Sequence, residues 1–186
     1  MLLYEEAIRR LGLERPAVLG QSFGGMLACE LAAHFPRLFE RVVVLDPIGL
    51  WRDDAPVVNW VATAPEDLPP LLFHDPQSDA ARAALAPPED PEAAVGAIAG
   101  FVWGIGCTAK FVWPIPEKGL AKRLHRIEAP TLVIWGKQDG LVPAVYAEEF
   151  GRRIAGSRVE ILDECGHIPQ VEQPEKTFAL VSEFLN

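Results

Sequence analysis

The stretch Val18-Leu19-Gly20-Gln21-Ser22-Phe23-Gly24-Gly25-Met26-Leu27-Ala28 decides the fold of this chain. An apolar run meets a Gly-x-Ser-x-Gly signature, and an alanine-rich helical pattern follows. A strand that reverses into a helix within about two residues strains its apex residue, and small neighbours such as Gly20 and Gly24 let the backbones pass. The stretch predicts an exposed Ser22 hydroxyl at the tip of a sheet, poised as a nucleophile. A serine in an ordinary tight turn is the alternative.

Three further apolar runs predict strands parallel to the one at 16–20. The β-branched run 41–46, which Pro47 stops, is typical of a strand covered on both faces. The runs 129–136 and 158–162 repeat this pattern. Helices are expected between the strands, at 2–12, 23–34, 141–154 and from Pro174 onward. The order predicts an α/β fold with a parallel sheet flanked by helices.

The chain divides by composition into three segments. Residues 1–47 hold the serine stretch, and residues 119–186 resume the strand pattern. Between them, residues 48–118 are rich in proline and contain four of the five tryptophans. We interpret this middle segment as an inserted helical cap with short helices near 65–72, near 79–85 and after Asp90-Pro91.

Composition excludes several classes of protein. The 186 residues, 49% of them hydrophobic and 23% charged, suit one globular domain. A net charge of −9 without a basic stripe argues against a nucleic-acid partner. Three widely spaced cysteines argue against a disulfide framework and indicate a reducing compartment. No leader and no run near the ~20 apolar residues of a membrane span is apparent, so we expect a cytoplasmic protein without a membrane partner.

A serine nucleophile needs a base within hydrogen-bond reach and an acid that orients this base. Asp139 follows the third expected strand and His167 follows the fourth. The carboxyl ends of parallel strands meet at one edge of a sheet, so both loops should emerge beside Ser22. The chain order Ser, Asp, His is the order that a strand-to-helix nucleophile turn requires.

Two parts of this assignment have alternatives. Asp46 also follows a strand and could supply the acid in place of Asp139, or it could simply form a turn before Pro47. The other histidines, His34, His74 and His125, are interpreted as surface residues. No two histidines are spaced as ligands on one helix face, so we predict no metal site.

Three motifs in the same order resemble the α/β-hydrolase superfamily. The segment 20–25 (Gly-Gln-Ser-Phe-Gly-Gly) resembles its nucleophile elbow, 135–139 (Trp-Gly-Lys-Gln-Asp) its acid loop, and 166–175 its histidine loop. The resemblance implies that Ser22 is the nucleophile, His167 the general base and then acid, and Asp139 the orienting carboxylate. It also implies that the Phe23 amide is one oxyanion donor.

The resemblance implies a serine hydrolase that cleaves an ester or related activated carbonyl through an acyl-enzyme, with no cofactor. Its partner would be a small apolar ester-type substrate. Trp103, Phe111 and Trp113 are candidates for the substrate pocket, although cap aromatics could instead form the cap's own small core. A carbon–carbon bond hydrolase of aromatic degradation and a cofactor-free haloperoxidase share the capped layout. A non-catalytic hydrolase fragment is the alternative from another class.

The family's strands and oxyanion loop that precede the elbow strand have no counterpart in this sequence. The expected helix 2–12 also begins without a capping side chain. Strand 16–20 would therefore present an unpaired edge, through which the chain could form a homodimer. A missing oxyanion donor costs about 10² to 10³ in rate, so we expect weakened activity.

Overall fold

A four-stranded parallel sheet is the centre of the protein, whose computed structural model describes residues 1–115 and 117–186. Its order along the sheet is β1-β2-β3-β4, with each strand hydrogen-bonded in parallel to the next. The predicted α/β fold with a parallel sheet is confirmed. The strands are β1 (Val18–Gln21), β2 (Val42–Leu45), β3 (Thr131–Gly136) and β4 (Arg158–Leu162).

The strand register aligns the carboxyl ends at one edge. Gln21 pairs with Leu45, and Leu45 pairs with Ile134. Every residue of β2 and β3 is buried, as their apolar composition predicts for strands covered on both faces. The loops after β1, β2, β3 and β4 consequently open on the same side of the molecule.

Eight α-helices accompany the strands in the described part of the chain. Their bounds are α1 (Leu2–Arg10), α2 (Phe23–His34), α3 (Pro69–Leu72), α4 (Asp79–Leu85), α5 (Pro91–Val112), α6 (Val145–Arg153), α7 (Pro169–Glu172) and α8 (Pro174–Leu185). Single 3₁₀ turns cover Pro65–Asp67, Leu120–Lys122 and Leu124–Arg126.

Helices cover both faces of the sheet. On one face, the alternate strand residues Val42, Val44, Val133 and Trp135 pack with buried residues of α2 and α6. On the other face, Val43, Leu45, Leu132 and Ile134 pack against Leu180, Val181 and Phe184 of α8. This alternation is the period-two pattern of a strand. Phe178, on the same helix, has an exposed side chain.

Helix α5 differs from the short helix expected there. It runs for 22 residues because Asp90 Oδ2 caps the Ala93 amide, Pro91 occupies the first turn and no proline interrupts it. Most of its surface is exposed, and it has the length and apolar composition of a helix that could cross a membrane. The expectation that no run approaches such a span is wrong for this helix, which is uncharged from Ala93 to Ala109.

Strand β1 lies at an end of the sheet and pairs only with β2 among the described residues. The Leu19 side chain is 54% exposed. The sequence predicted an unpaired edge at this strand, and the topology confirms it.

Candidate active site

The turn between β1 and α2 holds Ser22 in a strained conformation. Its φ is 52° and its ψ is −114°, a combination that residues other than glycine rarely adopt. A Cβ at Gly20 would lie 2.3 Å from the Gly24 carbonyl oxygen, and one at Gly25 would lie 2.9 Å from Pro47 Cβ. Close backbone contact therefore requires Gly20 and Gly25. Gly24, to which the sequence analysis gave this role, has open space around it.

The side chains of Ser22, His167 and Asp139 form a hydrogen-bonded row. His167 Nε2 lies 2.8 Å from Ser22 Oγ, and His167 Nδ1 lies 2.7 Å from Asp139 Oδ2. A carboxylate only accepts hydrogen bonds, so the assigned tautomer has the proton on Nδ1 and leaves Nε2 to accept from the serine hydroxyl. The structure brings together the three residues that the sequence analysis selected.

Backbone amides hold the Asp139 carboxylate in place. Its Oδ1 accepts hydrogen bonds from the Leu141 amide at 2.8 Å and the Val142 amide at 2.9 Å. Its side chain is buried beside the nearly buried His167 ring. The two amide donors fix the orientation of the carboxyl group and leave Oδ2 directed at the ring.

Four hydrogen bonds position the loop that carries His167. The His167 amide donates to the Leu72 carbonyl oxygen at 2.8 Å, and Gln21 Nε2 donates to the His167 carbonyl oxygen at 2.9 Å. Glu172 accepts from the Gly166 amide at 2.6 Å and from the His74 amide at 2.7 Å. The loop is therefore tied to the elbow, to α3 and to α7.

The roles of Gln21 and Glu172 were missed by the sequence analysis. Both stand inside the quoted motifs, so position in the motif was the available signal. Their partners, however, are backbone groups that are remote in sequence, and such pairings depend on the folded loops.

Asp46 lies beside this row but does not contact the histidine as Asp139 does. Its side chain is buried, and its Oδ1 accepts from the Gly136 amide at 2.8 Å. Burial, followed by the negative charge of Asp139, raises the pKa of Asp46 well above its usual range. Of the two candidate acids, Asp139 is therefore the one that is hydrogen-bonded to His167.

The same groups are the candidates for a metal site. One oxygen of Asp46, one of Asp139 and one ring nitrogen of His167 all lie within 4.8 Å of one another. Asp139 Oδ2 and His167 Nδ1 are, however, engaged with each other, and Asp139 Oδ1 accepts two amides. This pairing favours proton transfer over metal binding.

An apolar cavity of about 270 Å³ opens at Ser22 and His167. The candidate substrate residues Trp103, Phe111 and Trp113 are exposed and do not line it. Trp103 lies two residues from Phe101 and so on another face of α5, whereas Trp113 follows the end of the helix. Phe111 packs on Phe23, with 6.0 Å between ring centroids. The residues around the cavity are Gln21, Ser22, Phe23, Trp60, Leu68, Leu72, Phe101, Ile105, Thr108, Leu141, His167 and Ile168.

Helix α2 begins directly after Ser22, with Phe23 as its first helical residue. The first amides of a helix have no partner within it and carry a partial positive charge. The Phe23 amide is therefore suitably placed to bind an oxygen anion that forms at Ser22. His34, His74 and His125 are all exposed, as expected.

A parallel sheet with a strained serine turn at its carboxyl edge, and with aspartate and histidine on later loops, defines the class of α/β-hydrolase-fold proteins. Comparison with known families agrees: the model of the family described as "alpha/beta hydrolase fold" matches residues 3–174. The chain belongs to this family.

Relatives of the chain are hydrolases. Monoacylglycerol lipase abhd6-A of Xenopus laevis is 42% identical over 67 residues, which are 36% of this chain and 20% of that protein. The 2-hydroxymuconate semialdehyde hydrolase of Pseudomonas putida is 27% identical over 182 residues, or 94% of this chain and 64% of that protein. The chain thus spans less than two thirds of the length of these relatives.

A similar solved structure is that of a membrane phospholipase A, a bacterial virulence factor. It is 26% identical, with a TM-score of 0.72. The similarity covers 96% of this chain and 59% of that one.

Proposed function

We propose that this protein is a serine hydrolase that cleaves an ester or a related activated carbonyl through an acyl-enzyme. The observation that carries the proposal is the row Ser22, His167 and Asp139, with hydrogen bonds of 2.8 and 2.7 Å. Such a row supplies the base and the orienting acid that an alcohol nucleophile needs at neutral pH.

The proposed reaction has two stages, the acylation of Ser22 and the hydrolysis of the acyl-enzyme. As Ser22 Oγ attacks the carbonyl carbon, its proton moves to His167 Nε2. Asp139 stabilises the resulting imidazolium through the Nδ1 hydrogen bond. The imidazolium then protonates the leaving group, and the acyl-enzyme forms. A water molecule, deprotonated by His167, attacks the acyl carbon, and the imidazolium returns the proton to Ser22 Oγ as the C–O bond breaks and the acid product leaves.

The Phe23 amide is proposed as one donor to the oxyanion of each tetrahedral intermediate. Its position at the start of α2 places an unpaired N–H and the positive end of the helix dipole beside Ser22. Removing one oxyanion donor from such a site costs a factor of about 10² to 10³ in rate, so this amide would supply a large share of the proposed rate enhancement.

The cavity supports an apolar acyl or ring group as the part of the substrate next to the serine. Trp60, Leu68, Leu72, Phe101 and Ile105 give its wall an apolar character. The similarity to a monoacylglycerol lipase and to a membrane phospholipase A agrees with an ester of an apolar acid.

A carbon–carbon bond hydrolase is the second candidate. It is favoured by the similarity to a 2-hydroxymuconate semialdehyde hydrolase over 94% of this chain. A substrate panel separates the two activities, because carbon–carbon cleavage needs a vinylogous diketo acid while p-nitrophenyl esters suffice for an esterase. Turnover of the diketo acid alone would favour this second candidate.

The proposal is tested by incubating the soluble chain with a fluorophosphonate and measuring its intact mass. A single adduct that disappears in Ser22→Ala is the expected result, because the probe reacts with an activated serine whatever the natural substrate. Ser157→Ala is a matched control that should keep the adduct. A folded chain without an adduct would contradict the proposal and favour the non-catalytic alternative.

A further inference from the structure

Asp46 is bound into the sheet edge next to the Ser-His-Asp row. Its amide donates to the Ile134 carbonyl oxygen at 3.0 Å, and its Oδ1 accepts from the Gly136 amide at 2.8 Å. Its φ of 43° is unusual for a residue other than glycine. These contacts fix the direction of the carboxyl group, whose second oxygen points into the interior.

That second oxygen, Oδ2, is buried and accepts no hydrogen bond from any described residue. A buried acceptor without a partner is costly, and a buried charge without one is costlier. One oxygen of Asp46 lies within 4.8 Å of one oxygen of Asp139. Two ionised carboxylates at this separation repel each other, whereas a protonated and an ionised carboxyl can share a hydrogen bond.

We propose that Asp46 is a positioning residue that stays protonated and donates a hydrogen bond from Oδ2 to the Asp139 carboxylate. This bond gives the otherwise unpartnered Oδ2 a partner while Oδ1 still accepts from Gly136. Asp139 then accepts hydrogen bonds from two amides, from His167 and from Asp46, which matches the acceptor capacity of a carboxylate. The role assigned to Asp46 rests on the proposed function, in which Asp139 orients the catalytic histidine.

The groups that face Asp46 favour its neutral form. They are Asp139 from the loop after β3, Cys165 and His167 from the loop after β4, and Glu172 from α7. Asp139 and Glu172 are carboxyl groups, Cys165 is a neutral thiol whose pKa is raised by burial, and His167 is already paired with Asp139. Burial and the charge of Asp139 raise the pKa of Asp46, which agrees with a protonated Oδ2 that has no donor beside it.

The pH dependence of p-nitrophenyl acetate hydrolysis tests this role. Asp46→Asn keeps an acceptor for Gly136 and a neutral donor for Asp139, so kcat should stay within about threefold and the acid limb of the kcat/KM profile should not move. Asp46→Leu removes the donor, and kcat should fall by about 10- to 100-fold through misplacement of Asp139, with less change in KM. Asp53→Asn, an exposed aspartate on the same loop, is the control.

An ionised Asp46 gives a different result. Asp46→Asn would then remove a negative charge beside His167, and the acid limb would move to lower pH. That shift would overturn the proposal even if Asp46→Leu failed to fold.

Infrared spectroscopy locates the proton without an activity assay. At neutral pH the wild-type chain should show the carbonyl stretch of a protonated carboxyl group, and this band should be lost in Asp46→Asn but kept in Asp53→Asn. The band in an inactive protein supports the protonated Asp46 while contradicting the proposed function. An active protein without the band overturns the Asp46 proposal and leaves the proposed function standing.

Discussion

His167 Nε2 lies 2.8 Å from Ser22 Oγ although the two residues are 145 positions apart. The parallel register accounts for this proximity, because it aligns the carboxyl end of β1 with the ends of the later strands. Ser22 lies in the strained turn after β1, and His167 lies in the loop after β4, at the same edge of the sheet. The pair is therefore a product of sheet topology rather than of neighbouring sequence.

Substitutions at this pair should not add. We expect Ser22→Ala, His167→Ala and the double variant each to lower kcat for a p-nitrophenyl ester by about 10⁴ to 10⁶, because the two side chains act as one unit. Steady-state kinetics of all three proteins checks this. If the effects of the single variants multiplied in the double variant, the two side chains would be acting independently.

Asp139→Asn should separate orientation from folding. The amides of Leu141 and Val142 can still bond to the side-chain carbonyl oxygen, so Tm should change little. The amide nitrogen would face His167 Nδ1 and favour the wrong tautomer, and kcat should fall by about 10⁴. Thermal unfolding and kinetics on the same sample provide the measurement. Near-normal turnover would show that another group orients the histidine.

Asp46 predicts a pH-dependent difference in stability. In the unfolded chain its pKa returns to about 3.9. Because burial and Asp139 raise its pKa in the folded protein, the folded state holds the proton over a window that begins near the unfolded value. Within this window the free energy of unfolding of the wild-type chain decreases as pH rises, because the unfolded chain has released the Asp46 proton and the folded chain still holds it.

Asp46→Asn does not titrate and should escape this loss. Its free energy of unfolding, relative to wild type, should therefore increase by up to about 1.4 kcal/mol per pH unit within the window. Urea unfolding from pH 4 to pH 7 measures the difference. A constant offset across this range would mean that Asp46 ionises in the folded protein as it does in the unfolded chain.

The cavity lining predicts which face of α5 meets substrate. Phe101→Ala should raise KM for long-chain p-nitrophenyl esters, because Phe101 lines the cavity. Trp103→Ala should leave KM unchanged, because Trp103 is 75% exposed and lies outside the lining. A series of acyl lengths, measured for both variants, checks the assignment. A larger effect of Trp103 would restore its assignment as a pocket residue.

Strand β1 pairs only with β2 among the described residues, and its other edge is a candidate surface for self-association. We propose that the chain dimerises there, since unpaired strand edges bind other edges. Leu19→Lys should shift the chain toward monomer in light scattering, because a charge on an edge strand opposes pairing. Val95→Lys, on the exposed surface of α5, is the matched control and should have no effect. The reverse pattern would place the contact on α5.

The elements that were predictable are those set by local chemistry. The β-branched residues of β2 and β3, the glycines around Ser22 and the loop positions of Asp139 and His167 all carry signals within a few residues. Parallel topology then brings the loops together without further information. This explains why the three residues of the hydrogen-bonded row could be selected before their distances were known.

The remaining features depend on how distant elements meet. The length of α5 was underestimated because residues 48–118 are rich in proline, although no proline lies between Glu92 and Val112. The face of that helix that meets the cavity is set by packing. The sequence therefore suggested Trp103 as a lining residue, whereas Phe101 lines the cavity. The neutral role of Asp46 requires the position of Asp139 across the sheet edge.

The loops that carry Asp139 and His167 touch through their backbones. A Cβ placed on Gly136 would lie 1.8 Å from the carbonyl oxygen of Gly166. The separation of Asp139 from His167 is thus set by two main chains in contact and not by adjustable side chains. Warming should therefore leave catalysis intact until the sheet itself melts, so that inactivation and global unfolding share a single midpoint.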